Sequence, residues 1–423
     1  MPELNNARKY PALLHALNER FKALTEILAE PVPPLLRPEA LVYAAKDIID
    51  IRGRAPSLGL SRAPGSIPDR TAPVIDRLAE HGMSLIGFAA MTPLAYEPSG
   101  ANQAQGRPIN PWSAQHICGG SSSGSAVAVA SRMVRLALGS DTAGSLRIPS
   151  HCCGVTAWKP AASTVPSAGT MALAPTLDAI GFLAQDAFTL IPLHAVFENE
   201  CSEPREIKRI ATAEDIVREC DPNVAAAVHA VEAVIANKLA ELGQTNLVSL
   251  IESFDAPVLT ILQGEAWTGH RALVGTGLLE PMLEKRLSKG QQIGEAHMQE
   301  ARIRLKQLAA GPVSQIFESA DAILLPVMRG RTPLNAVCDP GSHSFSARAV
   351  YELSALTRWV NGAGLPAVSI PAGFDRDGLP IAVQIVGRPK SSLALLKLAA
   401  KIQDRTDWHR KVPPAAAIFG VAS

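Results

Sequence analysis

Residues 118–150 read CGGSSSGSAVAVASRMVRLALGSDTAGSLRIPS, and this stretch limits the fold more than any other. Two loops dense in glycine and serine, Gly119–Ser125 and Asp141–Ser145, bracket an apolar run. A flexible linker of that composition does not run straight into Ala126-Val127-Ala128-Val129, a segment that needs burial. A phosphate cradle has the spacing, since Gly119 and Gly124 are five positions apart, but Ser125 stands where the P-loop lysine is required. The third reading is a pocket lined by main chain. Acyl transfer needs a nucleophile, a proton carrier and N–H donors aimed at a developing oxyanion. Asp141-Thr142-Ala143-Gly144-Ser145 is small enough to turn tightly and leave N–H groups facing a cavity, with Ser145 at the end of the turn. On chemistry alone this stays one option, because a serine among glycines is ordinarily a turn residue.

The stretch predicts a helix over Ser125–Met133 and a strand over Val134–Leu138. The chain around it alternates in the same way. Apolar positions at helical spacing (Leu14, Leu17, Phe21, Leu24, Ile27, Leu28) predict a helical segment over about 4–30, stopped by Pro31, Pro33, Pro34 and Pro38. Strands are expected at 41–45 and 83–87 around a helix at 71–81, followed by irregular chain over 89–118 and loop-rich chain over 148–184. Strands at 208–213 and 246–250 flank a helix at 223–242. Residues 256–318 read as mostly helical. A strand at 322–325, a helix at 347–360, strands at 367–370 and 381–386 and a last helix at 391–404 follow. Of the 423 residues, 47% are hydrophobic and 19% charged, which supports a large buried core. Alternating strands and helices make an α/β protein. Nothing breaks the alternation, so one domain over 1–423 is expected, with a peripheral, mostly helical region at about 215–320.

Several segments in fixed order resemble the amidase signature family. Gly119–Ser150 resembles its GGSS(G/S)GS loop and its later (T/S)D-x-(A/G)GS(I/L)R-x-P loop, at the family's separation. Ala45–Asp50 is similar to its VKDNID segment, Asn110-Pro111-Trp112 to its NPW, and Gly154-Val155 with Lys159-Pro160 to its G-V-x-x-x-K-P. Leu173–Asp178 is similar to LAPSLD, and Gly364–Ala367, Gly378–Ile381, Gln384–Gly387 and Asp407-Trp408-His409 to its C-terminal part. The resemblance implies the amidase signature fold, a central mixed, twisted β-sheet covered by helices on both faces. It implies an amidase that cleaves a carboxylic amide, or a related carbon–nitrogen bond, through an acyl-enzyme. Lys46 matches the base, Ser121 the bridging serine of a Ser-cisSer-Lys triad and Ser145 the nucleophile. The main-chain N–H groups of Thr142, Ala143, Gly144 and Ser145 match the oxyanion hole. A lysine serves as base only when neutral, so burial or adjacent positive charge must lower its pKa. Ser122 is expected to hold its loop by hydrogen bonding, Asp141 to be a structural acceptor, and Arg147 to form an internal ion pair or else meet a substrate carboxylate. Gln384 is a candidate for the pocket wall, with the remaining pocket residues expected from the long loops and from 310–345. His116 and His151 flank the core but match no catalytic position. The sequence departs from the family at Gly87–Ala95, where GKTNMxEFA is usual, and at Ser123, where many members carry glycine.

Composition limits the partners. The formal net charge is +1, from 40 basic and 39 acidic residues, and aromatics are 4%. No whole-chain field selects nucleic acid or an anionic membrane. The six cysteines show no C-x-x-C pairing, so zinc is not expected. The amino terminus has no signal-type apolar core, and no apolar run is long enough to span a bilayer. The expectation is a cytoplasmic enzyme without cofactor, acting on a small-molecule amide, with no nucleic acid and no membrane as partner; a homodimer is compatible with it. Two other readings remain: the glutaminase-type amidase component of a tRNA-dependent amidotransferase, and a non-catalytic binding protein on the same fold.

Overall fold

The computed structural model describes residues 10–33, 41–198 and 206–420. Among the described residues eleven strands form one mixed sheet: β1 (Leu24–Val32), β2 (Val42–Lys46), β3 (Ser84–Ala89), β4 (Leu136–Asp141), β5 (Thr156–Lys159), β6 (Ala179–Ala184), β7 (Arg209–Thr212), β8 (Glu241–Gln244), β9 (Ala322–Pro326), β10 (Ala367–Phe374) and β11 (Pro380–Gly387). Their order is β1-β3-β2-β4-β6-β5-β10-β11-β9-β7-β8. β2 lies between β3 and β4 and is parallel to both, while β10 and β11 form an antiparallel hairpin near the middle.

The pleat sorts side chains onto two faces. Tyr43, Ala45, Leu136, Leu138, Trp158, Ile180 and Phe182 join one core, under the helices Pro73–Glu80, Ala187–Phe197, Pro222–Ala236 and Ser392–Asp404. The opposite face carries the small Ala44, Ala137 and Ala157. Those alanines let the helix Ser123–Ala130 lie close on the sheet. All eight of its residues are buried, as suits a segment of Ala, Val, Ser and Gly with no polar stripe. Gly124 is required there, because a Cβ would stand 2.2 Å from the Ala23 carbonyl oxygen. A third core, built from the helices Val248–His270 and Glu295–Leu308 with Trp359, packs beside the sheet.

Three sequence expectations differ from this architecture. The predicted 4–30 helix is Tyr10–Phe21 only, its first six positions lying outside the described residues. Lys22 turns left-handed, the Asn18 side chain ties to both N–H and carbonyl of Leu24, and β1 then pairs with β3. The 148–184 stretch is loop-rich as expected, most of all over 160–178, with the helix Arg147–Cys153, β5 and β6 set into it. The strand expected at 246–250 is the start of the helix Val248–His270, whose first turn is capped by Asp215 accepting from the Leu247 and Val248 N–H groups. The 347–360 helix is broken into Ala347–Glu352 and Arg358–Gly362. No described helix is long and apolar enough to cross a membrane.

Candidate active site

The parallel pairing of β2 and β4 sets Ala45 opposite Leu138, so the next residues of each strand emerge side by side at the carboxyl ends. Lys46 ends β2 and is fully buried. Its Nζ donates to Ser121 Oγ at 2.6 Å and to Ser140 Oγ at 2.8 Å. Burial lowers the Lys46 pKa to about 7, against the opposing charges of Asp178 and Asp141. A neutral amine beside a hydroxyl can accept its proton, which an ordinary surface lysine cannot do near neutral pH.

The serine loop reaches Lys46 through a fixed backbone. The Gly120–Ser121 peptide is cis. Gly120 N donates to the Pro98 carbonyl at 2.7 Å, and Thr92 N to the Ser121 carbonyl at 3.3 Å. Ser122 joins the two loops: its N–H donates to the Ser145 carbonyl at 3.2 Å and its hydroxyl to the Ser140 carbonyl at 3.0 Å.

The second loop is organised on Asp141. Its carboxylate accepts from the N–H groups of Gly144 and Leu146 and from Arg147 Nε and Nη2. Burial opposes ionisation, but the Arg147 charge and hydrogen bonds outweigh it and hold the carboxyl well below the usual carboxylate range. Arg147 Nη1 and Nη2 also donate to Gln384 Oε1 at 2.8 Å and Asn361 Oδ1 at 2.6 Å. Arg147 and Gln384 therefore sit inside the protein in a closed network, away from the cavity wall. Gly144 N–H is engaged by Asp141, which leaves Thr142, Ala143 and Ser145 of the four expected oxyanion donors. Gly144 has φ +133°, and a Cβ there would meet Thr357 Oγ1 at 2.3 Å. That Thr357 hydroxyl donates to the Ala143 carbonyl at 2.6 Å.

Ser145, Thr142 and Ala143 line a cavity of about 260 Å3. Tyr96 and Pro98 of the long loop contribute to it, but no residue from 310–345 does. Other lining residues come from the helices Val248–His270 and Ala347–Glu352, from Ile148, Leu173 and Arg358, and from Arg286 and Lys289. His151 is buried, its pKa lowered to about 4 by burial, and accepts from the Ala382 N–H. His116 bonds Ser113 Oγ. Neither joins Lys46. Cys152 and Cys153 are buried, and Cys201 lies outside the described residues.

Sequence reasoning missed Ser140, Asp178 and Asn361. Asp178 accepts from Thr142 Oγ1 at 2.5 Å and from the Leu173 and Ala174 N–H groups, and burial raises its pKa to about 6. Asn361 Nδ2 donates to the Asp141 and Leu177 carbonyls. Ser140 was legible as the neighbour of Asp141, and Asp178 as the end of Leu173–Asp178; Asn361 carried no local signal.

The Amidase family model matches residues 12–396. A glutamyl-tRNA(Gln) amidotransferase subunit of Neisseria meningitidis serogroup C (strain 053442) is 32% identical, over 88% of this chain and 85% of that protein. The protein of the same name from Chromobacterium violaceum (strain ATCC 12472) is 31% identical, over 87% and 84%. Among solved structures, 6-aminohexanoate cyclic dimer hydrolase complexed with substrate superposes with a TM-score of 0.85, at 22% identity over 97% of this chain and 95% of that one. The two relatives are named as subunits and for glutamyl-tRNA(Gln). That overturns the expectation of a small-molecule amide as partner with no nucleic acid; near-neutral net charge describes the whole surface and does not report on a local or shared nucleic-acid interface. By its family match and its fold, the chain belongs to the amidase signature family and is a hydrolase acting on carbon–nitrogen bonds.

Proposed function

We propose that this chain is the amide-hydrolysing component of a tRNA-dependent amidotransferase, releasing ammonia from glutamine for transfer to glutamyl-tRNA(Gln). The observation that carries this reading is the 31–32% identity to the two amidotransferase subunits over 84–85% of their length. The chemistry rests on Lys46, Ser121 and Ser145. Neutral Lys46 draws the proton of Ser121, which takes that of Ser145 as its Oγ attacks the amide carbon. The C–O bond forms, and the carbonyl electrons move to an oxyanion facing the N–H groups of Thr142, Ala143 and Ser145. Collapse breaks the C–N bond, and the proton held at Lys46 returns through Ser121 to the leaving amine, giving ammonia and a Ser145 ester. Water then cleaves the ester by the same relay and frees the acid. Ser122, Asp141, Arg147 and Gln384 position the two loops. A single domain over 1–423 and a cytoplasmic setting are part of this reading.

The test uses a reconstituted bacterial glutamyl-tRNA(Gln) amidotransferase in which this chain replaces the homologous polypeptide. Glutamine-dependent formation of Gln-tRNA(Gln), lost in Ser145→Ala, is the expected result. A chain that hydrolyses other amides yet neither joins the complex nor forms Gln-tRNA(Gln) contradicts the reading.

A further inference from the structure

Two side chains four positions apart, Thr357 and Asn361, hold two carbonyls two positions apart on the loop that carries Ser145. Thr357 immediately precedes the helix Arg358–Gly362, and Asn361 lies within it. The Thr357 hydroxyl donates to the Ala143 carbonyl at 2.6 Å, and Asn361 Nδ2 donates to the Asp141 carbonyl at 2.8 Å. Both residues are buried, and neither lines the cavity that holds Ser145. The Asn361 amide has one orientation, because its Oδ1 accepts from Arg147 Nη2 at 2.6 Å and Arg147 can only donate. The Thr357 hydroxyl has one proton. The Ser354 carbonyl lies 3.2 Å from it and the Ala143 carbonyl 2.6 Å, so the shorter contact takes it. Gln384 Nε2 donates to the Leu356 carbonyl at 2.7 Å and anchors the chain just before Thr357. A trans peptide is planar and points its C=O and N–H in opposite directions. The Asp141–Thr142 and Ala143–Gly144 peptides are trans. Holding the Asp141 carbonyl on the helix side therefore turns the Thr142 N–H the other way. The Ala143–Gly144 peptide is fastened at both ends, its C=O by Thr357 and its N–H by Asp141 Oδ1 at 2.8 Å. With that plane fixed, the N–H groups of Ala143 and Ser145 on either side of it lose freedom to swing.

We propose that Thr357 is a positioning residue for amide hydrolysis, whose hydroxyl, together with the Asn361 amide, orients the N–H groups of Thr142, Ala143 and Ser145 toward the oxyanion. The proposal rests on the amide-hydrolysing reading of the same loop. Thr357 acts through the main chain, from outside the cavity. Removing its hydroxyl leaves the Ala143 carbonyl without its donor, and the Ala143–Gly144 peptide is then fastened at one end only.

The test compares Thr357→Ala with Thr357→Ser. Both lose the methyl group and they differ only in the hydroxyl, so the pair isolates the hydrogen bond. Inactivation by a fluorophosphonate reads the oxyanion site, because its phosphoryl oxygen takes the place of the carbonyl oxygen as Ser145 attacks. In Thr357→Ala kinact should fall about 10- to 100-fold with KI changed by less than about threefold, and Thr357→Ser should stay within about threefold of wild type. A wild-type rate in Thr357→Ala, or equal losses in the alanine and serine variants, overturns the proposal. Hydrogen–deuterium exchange over residues 141–146 separates the two readings. Exchange there should quicken in Thr357→Ala and not in Thr357→Ser. If it does so in a protein whose Ser145 takes no fluorophosphonate, the holding of the loop by Thr357 is supported and the hydrolytic reading falls alone. Exchange that is indifferent to the hydroxyl overturns the proposal whatever the activity.

Discussion

Replacing Lys46 by methionine is expected to lower kcat/KM for amide hydrolysis by about 10²- to 10⁴-fold, the range over which a positioned general base acts. The protein should stay folded, because methionine fills the same buried channel without a charge to desolvate. Two pH experiments check the cause. With Lys46 titrating at about 7, wild-type kcat/KM should rise through that pH and level off above it, since only the neutral amine accepts a proton. Stability carries the matching sign. The folded pKa lies below the ordinary lysine value of 10.5, so between about 7 and 10.5 the unfolded chain binds more protons and wild-type stability rises with pH. Below about 7 the folded state bears the whole cost of a charged lysine in a dry site. The stability advantage of Lys46→Met over wild type should therefore be largest at low pH and shrink as pH rises toward 10.5. Denaturant titrations at pH 6 and 9 measure it. A Lys46→Met variant with wild-type turnover removes Lys46 from the proposed relay.

Arg147→Met should cost about 3–5 kcal/mol of fold stability, the usual consequence of leaving a buried charge without its partner. The stranded group is Asp141, fully buried and bonded to Arg147 through both oxygens. Gln384 Oε1 and Asn361 Oδ1 lose a donor in the same step. Urea denaturation measures the loss. Adding Asp141→Asn should recover part of it, because a neutral amide costs less to bury than a lone carboxylate. In wild type the Asp141 carboxyl is held below its ordinary range, so its contribution is present at neutral pH and is lost as the solution becomes strongly acidic. Arg147→Met should flatten that acid dependence. A variant as stable as wild type would mean that the Asp141–Arg147 pair does not hold the second loop.

Much of this architecture was legible because its information is local. β2, β3, β9, β10 and β11 are short apolar runs with clear boundaries, and Asp377-Gly378 marks the turn that joins the last two. The two glycine-serine loops and the lysine at the end of β2 were readable for the same reason: small residues and turn residues act where they stand. Other features depended on partners remote in sequence. Leu24, Ile27 and Leu28 have helical spacing, yet they lie in β1, which pairs with β3, because the Asn18 side chain turns the chain at Leu24. The helix Val248–His270 starts where Asp215, 33 positions earlier, caps it. Much of the cavity around Ser145 is lined by Val258, Leu262, Tyr351 and Arg358, which no short motif connects. Arg147 could be read either toward a substrate or toward the interior. Only the placement of Asn361, 214 positions away, and of Gln384 shows that all its contacts are internal.

The central proposal is that Ser145 is the nucleophile served by Lys46 through Ser121, and covalent trapping tests it most directly. Incubation with a fluorophosphonate at pH 8, followed by peptide mass spectrometry, should place one phosphonyl adduct on Ser145. Labelling should be absent in Ser145→Ala and strongly slowed in Ser121→Ala and Lys46→Met. An adduct on another residue, or full labelling of folded Ser145→Ala protein, would contradict it.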